Sequence, residues 1–384
     1  MKKLIRITTI PLSLEKLLEN QLRFMNDYYE VTAVSSEKER LKAFGENQGV
    51  KTHEIAMTRQ ITPLQDLKSL WQLFWFLKSE KPFIVHSHTP KAGTIGMMAA
   101  KLAGVPNRLH TVAGLPLLET TGSKRKLLSF VEKITYACAT KVYPNSNGLK
   151  DIIIKEKFCN SNKLKVIGNG SSNGINTDFF SPQSVSEGQI RTLKTQLAIS
   201  EDTFVFVFVG RIVADKGINE LIAAFTKLLA EHKKCKLLLV GPLEKELDPL
   251  LPETEATILT SENILSVGYQ NDVRPYFAIS DCLVFPSYRE GFPNVVMQAG
   301  AMELPAIVSN INGCNEIIVS GENGILIEPK SAEAVYQAMK SILEDNELTD
   351  RLKNNARHRI VSRYQQQVVW EAILKEYKSL EGNV

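Results

Sequence analysis

The sequence predicts an α/β protein made of two doubly wound parallel sheets in tandem, and three observations carry that reading. A chain of 384 residues exceeds one ordinary compact core, since domains usually hold about 100–200 residues. Short runs rich in Val, Ile and Leu alternate with longer stretches of helical periodicity, the pattern of βα units. That order occurs twice, and the two halves differ in charge. Residues 1–180 hold 26 Lys and Arg against 15 Asp and Glu, or +11, whereas residues 181–384 hold 20 against 27, or −7. A basic half suits an anionic partner such as phospholipid, lipid phosphate or nucleic acid, and it equally fits a solvated surface with no partner.

In the first half the expected strands are 3–9, 29–35, 83–87, 107–112, 141–145 and 164–168. Lys2 and Lys3 precede an apolar stretch, but Arg6, Thr8, Thr9 and Pro11 interrupt it and no small-residue cleavage site follows, so it reads as a strand rather than a leader. The stretch 67–76, with Trp71, Phe74, Trp75 and Phe76, reads as a helix buried against the sheet in preference to a membrane-dipping face. Residues 123–141 interleave Lys124, Arg125, Lys126 and Lys133 with apolar positions, which fits a helix meeting anionic lipid as well as it fits an ordinary exposed helix. A polar segment, 181–201, leads into the second half. Its strands are expected at 203–210, 236–241, 264–269, 281–287, 305–310 and 324–328, continuously apolar as strands covered on both faces should be.

No run approaches the ~18 apolar residues of a membrane span, so any membrane contact is peripheral. Cys138, Cys159, Cys235, Cys282 and Cys314 are scattered without zinc-ligand spacing and read as reduced, buried thiols of a cytoplasmic protein. His86, His88 and His110 are half of the six histidines and fall at strand ends. His86 and His88 read as facing opposite sides of their strand. A metal site would need a third ligand from elsewhere, and the chain has no Asp-x-Asp pair.

Ligands of doubly wound sheets bind beyond the carboxyl ends of the strands, and three segments of the second half fall there. Gly210, Arg211 and Lys216 precede a helix and place two cations where a diphosphate could lie. Glu290, Gly291 and Phe292 precede a helix opened by Pro293, Asn294 and Val295, whose first N–H groups suit an anion; Gln298 follows on that helix within reach of a ribose. Residues 310–316, with Gly313 and Asn315, form a turn able to offer backbone N–H groups to phosphate. The first and third segments taken alone are equally ordinary turns, and Glu290 as a lone carboxylate would more often be structural.

Taken together, these residues resemble glycosyltransferase family 4, in its capsule and O-antigen branch. The most specific stretch is SYREGFPNVVMQAGAMELPAIVSNINGCNEIIVSGENG from Ser287. VHSHTPKAG from Val85, RLHTVAG from Arg108, NGSSNGINTDFF from Asn169 and VGRIVADKG from Val209 support it in order along nearly the whole chain. The resemblance implies the GT-B fold, two Rossmann-like domains facing a cleft. Residues 1–180 would bind the acceptor, a helix at about 364–384 crossing back to them, and residues 181–363 would bind the nucleotide sugar. It further implies that Arg211 and Lys216 hold the donor diphosphate, Glu290 contacts the donor sugar and His110 touches sugar or phosphate at the reacting centre. Gly210, Tyr269, Gly291, Phe292, Asn294, Val295, Gln298 and Asn315 would line the donor, with backbone N–H groups supplied near Asn294, Val295 and Asn315. His88 and Lys91 would face the acceptor.

Such enzymes retain anomeric configuration by a front-face displacement in which the leaving diphosphate helps deprotonate the acceptor. They need no protein nucleophile, metal ion or other cofactor. The chain departs from the family pattern at Gln298, which stands for a second glutamate, at Pro293, which stands for a glycine, and at Thr9–Ser13, which replaces a glycine-rich loop. The implied function is transfer of a hexose or N-acetylhexosamine from a UDP-sugar to a polyprenyl-diphosphate-linked or other glycan acceptor in surface polysaccharide synthesis. It would take place in the cytoplasm, with peripheral contact at the anionic inner face of the cell membrane and no nucleic-acid partner. A nucleotide-sugar epimerase of the same architecture and an inactive nucleotide-sugar-binding subunit are the rivals.

Overall fold

The computed structural model describes every residue except Arg59, Ile61, Pro116, Leu118, Glu119, Lys245, Leu247 and Val384. The chain divides into two compact units, Met1–Asn173 with Gln366–Val384, and Gly174–Gln365.

The first unit is built on a parallel sheet of β1 (Lys3–Ile7), β2 (Glu30–Ser35), β3 (Lys51–Glu54), β4 (Ile84–Ser87), β5 (Asn107–Val112) and β6 (Lys141–Pro144), in the order β3-β2-β1-β4-β5-β6. Side chains alternate across a strand, and the alternation sorts the core into two layers. Ile5, Ile7, Val34, Val85 and Val142 share one layer with Leu73 and Leu77 of the helix Pro63–Glu80 and with Ile95 and Met97 of the helix Pro90–Leu102. Leu4, Val31, Ala33, Ile84, Leu109 and Tyr143 form the other. The helix Gln366–Ser379 buries Val369, Ile373 and Tyr377 in that second layer. Proline opens the helices Pro11–Leu17, Pro63–Glu80 and Pro90–Leu102, where its missing N–H removes nothing from the ladder and its fixed φ suits the first turn.

Several expectations need correcting. The sixth strand of this sheet is β3, not residues 164–168: Leu164 makes only an isolated bridge to Val142, and Gly168 and Gly170 then take positive φ. β3 escapes a search for apolar runs because it reads Lys-Thr-His-Glu, an edge strand with half its residues in solvent. The helix Pro63–Glu80 is not buried all round, since Trp71 is 48% and Trp75 66% exposed while Leu70, Leu73 and Leu77 face the core. Cys138 and Cys159 are only half-buried, unlike Cys235, Cys282 and Cys314. The first unit ends at Asn173, ahead of the expected residue 180, because Ile175 already packs in the second unit's core and donates its N–H to Tyr364 O at 2.7 Å.

The second unit repeats the plan with β7 (Phe204–Val209), β8 (Cys235–Val240), β9 (Ile264–Ser266), β10 (Cys282–Phe285), β11 (Ala306–Ser309) and β12 (Gly324–Ile327), parallel and ordered β12-β11-β10-β7-β8-β9. Counted from its own first strand, this order is the same as in the first unit. β7 reads FVFVFV, and its four central residues are fully buried. Helices are fixed locally by side-chain caps. Ser186 and Gln189 close a capping box on the helix Glu187–Gln196, so the polar segment before β7 is helical, and Ser331 and Asp345 cap the helices Ala332–Glu344 and Asn346–Tyr364.

Candidate functional site

Strand order reverses at β7 and β10 in the second unit and at β1 and β4 in the first. The crevice beyond the carboxyl ends of such a pair is the usual ligand site of a doubly wound sheet.

In the second unit β7 runs through Gly210 and Arg211 into a tight turn at Ala214–Lys216, and β10 runs through Pro286 into Ser287–Gly291. The two loops are fastened together. Gly217, at φ 72°, opens the helix Ile218–Glu231, and a Cβ on it would stand 2.2 Å from Pro286 O, so only glycine allows the approach. Tyr288 N donates to Asp215 O at 2.9 Å, and Arg289 Nη2 lies 2.6 Å from Asp215 Oδ2. Across this seam Lys216 Nζ donates to Glu290 Oε1 at 2.5 Å, with both side chains largely buried. Ser287 Oγ donates to the same oxygen at 3.0 Å. Glu290 Oε2 receives no hydrogen bond among the described residues and can accept one from a ligand hydroxyl.

The third segment joins from β11. Asn312 Nδ2 donates to Glu290 O at 2.8 Å and Gly291 O at 3.1 Å, while Gly313, at φ 77°, passes so close that a Cβ would meet Gly291 O at 2.4 Å. Asn294 and Val295 open the adjacent helix Asn294–Ala301, whose end carries partial positive charge. Two cations, a helix start and an oriented carboxylate thus share one edge, an arrangement suited to an anionic leaving group next to hydroxyls.

The other expected residues have local partners or places of their own. Arg211 pairs with Glu244 at 3.3 Å, over a third exposed. Phe292 belongs to the hydrophobic core and packs edge-on against Tyr364, because the turn drives its ring inward. Asn315 offers no backbone donor: its N–H already bonds Ile311 O at 3.1 Å, and its side chain bonds Asn310. Gln298 is half-buried on the helix, and Tyr269 is exposed beyond β9, next to Gly268, whose carbonyl accepts from Gly241 N. Sequence reasoning missed Asn312, Ser287 and Asp215, small polar residues in loops whose importance lies in partners far along the chain.

In the first unit, hydroxyls close the reversal. Thr8 Oγ1 lies 3.2 Å from Ser35 Oγ, Thr9 Oγ1 lies 2.7 Å from Thr89 Oγ1, and Ser36 Oγ donates to Thr9 O at 2.9 Å. Behind them His86, His88 and His110 are buried. His86 and His88 do not face opposite sides: residues two apart on a strand share a face, and their rings lie 4.3 Å apart. His110 Nδ1 lies 2.9 Å from Ser87 Oγ, and its ring fits over Gly93, where a Cβ would meet it at 2.4 Å. Burial lowers the affinity of all three imidazoles for protons, taking His110 to about 4. Lys91 is turned onto the segment before the helix Pro63–Glu80, bonding Gln60 O, Thr62 Oγ1 at 3.2 Å and Asp66 Oδ1 at 2.7 Å. Among the described residues no three His, Cys, Asp or Glu side chains group as metal ligands.

Comparison with known proteins matches residues 189–359 to the family described as glycosyl transferases group 1 and residues 16–146 to the family described as glycosyl transferase 4-like. The chain is 34% identical over 380 residues to the capsular polysaccharide biosynthesis glycosyltransferase CapM of Staphylococcus aureus, covering 98% of this chain and 97% of that one. It is 30% identical over 342 residues to the UDP-Gal:alpha-D-GlcNAc-diphosphoundecaprenol alpha-1,3-galactosyltransferase of Escherichia coli, covering 88% and 86%. The crystal structure of HepE from Anabaena in complex with UDP and glucose superposes with a TM-score of 0.80 at 17% identity, covering 99% and 100%, and shares the fold. With two Rossmann-like sheets of one strand order and a full-length relative at this identity, the chain belongs to the GT-B glycosyltransferases of family 4.

Proposed function

We propose that the protein transfers a hexose or N-acetylhexosamine from a UDP-sugar to a polyprenyl-diphosphate-linked acceptor in capsule or related polysaccharide synthesis, retaining anomeric configuration without a metal ion. The Lys216–Glu290 pair at the β7 and β10 carboxyl ends carries the reading. As the bond from the sugar C1 to the diphosphate oxygen breaks, negative charge grows on that oxygen. Lys216, Arg211 and the helix start near Asn294 stabilise it, which is the part a divalent cation would otherwise take. The acceptor oxygen bonds to C1 on the same face, and its proton passes to the departing diphosphate. Glu290 Oε2 accepts from a donor-sugar hydroxyl, Gln298 from or to the ribose, and Gly210, Gly291, Val295 and Tyr269 complete the donor's surroundings. In the first unit, neutral His110 contacts the reacting sugar or phosphate and His88 faces the acceptor, while Lys91 holds the adjoining segment.

The relatives support the substrates. The E. coli protein is named for UDP-Gal and a diphosphoundecaprenol acceptor, and HepE was solved with UDP and glucose. The first unit also offers a surface for a lipid-borne substrate. Leu64, Leu67, Trp71 and Trp75 make one exposed stripe with Lys68 and Lys78, and Leu127 and Phe130 project from the helix Gly122–Cys138 among Lys124, Lys126 and Lys133. Among the described residues no helix is long and apolar enough to cross a membrane, so contact at this surface would be peripheral.

The deciding experiment incubates purified protein with labelled UDP-sugars and a polyprenyl-diphosphate-linked acceptor. Label moving to the lipid fraction is expected, with the product anomer matching the donor. Absence of transfer from every nucleotide sugar would overturn the proposal, and isomerisation of the donor without acceptor would replace it by an epimerase.

A further inference from the structure

At the carboxyl edge of the first sheet, beneath the ends of β4, β5 and β6, lies a small polar cavity with room for one water-sized group (≈ 20 Å³), bounded by His88, Thr111, Asn145 and Ser172 among others. Its two unsatisfied members are unusual. His88 is 4% exposed and both its ring nitrogens are buried without a partner; Asn145 is 6% exposed and its Oδ1 is likewise buried and unpaired. Leaving such groups unmade costs more than a typical hydrogen bond contributes, so buried polar atoms nearly always meet a partner.

The surrounding network assigns the direction of each proton. Arg6 Nη1 donates to Tyr377 Oη at 2.9 Å, so that hydroxyl gives its own hydrogen to His86 Nδ1 at 2.5 Å. His86 therefore carries its proton on Nε2 and donates to Thr111 Oγ1 at 2.7 Å, which leaves the Thr111 hydrogen to point elsewhere. The residues that bound the cavity then hold donors at Thr111 and one His88 nitrogen, and acceptors at the other His88 nitrogen and Asn145 Oδ1. The walls are held in place. His88 N donates to Ile7 O at 3.0 Å, Asn145 N to Val112 O at 3.0 Å and Ser171 N to Asn145 O at 2.8 Å, and Gln21 ties down the Ser172 carbonyl. Burial and the neighbouring Arg6 keep the His88 imidazole neutral.

We propose that this cavity is a subsite that receives a single hydroxyl of the acceptor glycan, bonded by His88 and Asn145. A hydroxyl can accept from the protonated His88 nitrogen and donate to Asn145 Oδ1, and its oxygen fits the volume, whereas a phosphate is several times too large. The subsite rests on the reading of the first unit as the acceptor-binding half. A site built to bond a hydroxyl rejects the analogue that lacks it, because its own buried groups are then left unpaired.

The test is steady-state transfer by the full-length protein to a series of acceptors, each lacking one hydroxyl of the terminal sugars. With the wild type, one deoxy acceptor should lose about tenfold or more in kcat/KM, while KM for the UDP-sugar stays unchanged. With His88→Ala that same deoxy acceptor should show no further loss relative to the intact one, and His88→Gln should restore part of the discrimination. Asn145→Ala gives a second route should His88→Ala fold poorly. Equal treatment of all deoxy acceptors by the wild type, or a penalty that persists undiminished in both variants, would reduce the cavity to a structural water site and overturn the subsite alone. No turnover of any acceptor by the wild type would overturn the subsite together with the function it rests on.

Discussion

At the reversal of the first sheet, Thr8, Thr9, Ser35 and Thr89 meet through their hydroxyls and three neutral histidines stand buried behind them. At the reversal of the second, Lys216 and Glu290 face each other in a seam edged by Arg289 and Asp215. Strand order is the same in both sheets. Topology thus supplies an equivalent place in each unit, and the residues that follow the strands decide whether that place handles charge or neutral hydroxyls. The proposed transfer would use both kinds, one for a diphosphate and one for a glycan.

The contrast is broken most directly by removing one cation from each unit. Lys216→Ala should lower transfer about 10²–10³-fold, the usual effect of deleting a preorganised group that meets developing negative charge. Lys91→Ala, which loses only bonds to Gln60, Thr62 and Asp66, should change kcat less than about tenfold. Comparable losses in both variants would mean that charge is not confined to the second unit.

Next in size, Gly217→Ala places a methyl against Pro286 O and forces an alanine to φ 72°. We expect a stability loss of about 1–3 kcal/mol, read as a lower denaturant midpoint, with nucleotide binding weakened in parallel because Lys216 precedes the strained residue. Asn312→Ala removes two bonds to the Glu290–Gly291 carbonyls and should cost about 1–2 kcal/mol, seen as a weaker Kd for UDP in calorimetry. An unchanged Kd would show that the third loop does not organise the seam.

The smallest expected effect concerns acid. A histidine whose folded pKa lies below its ordinary 6.5 binds protons only in the unfolded chain, so stability falls as pH drops through the window from 6.5 to about 4, the value for His110. His86 and His88 act in the same sense, while the half-buried carboxyls Glu19 and Glu132, whose pKa values desolvation raises, oppose them over the lower part of the window. All three tryptophans, Trp71, Trp75 and Trp370, lie in the first unit. On acidification tryptophan fluorescence should therefore change at higher pH than the far-UV circular dichroism of the whole chain. Coincident transitions would show that the histidines do not set the first unit's acid limit.

Much of this was legible in order along the chain. Of the twelve strands among the described residues, eleven announce themselves as apolar runs, and β3 does not, because an edge strand has solvent on one side and tolerates Lys, Thr, His and Glu. Lys216 and Glu290 could be marked from their places beside strand ends, but their pairing could not. Asn315 looked like a donor because it sits in a glycine turn, and its N–H proved to be spent on Ile311.

The sequence by itself determined the doubly wound plan, its repetition and the neighbourhoods of the charged residues. These follow from periodicities and turn residues acting over a few positions. Only the tertiary structure decided that Asn312 knits the seam, that Phe292 turns into the core, that Trp71 and Trp75 face outward and that His88 lacks a partner. Each of these depends on contacts between segments far apart in the chain, and no local pattern records which distant atom will be within 3 Å.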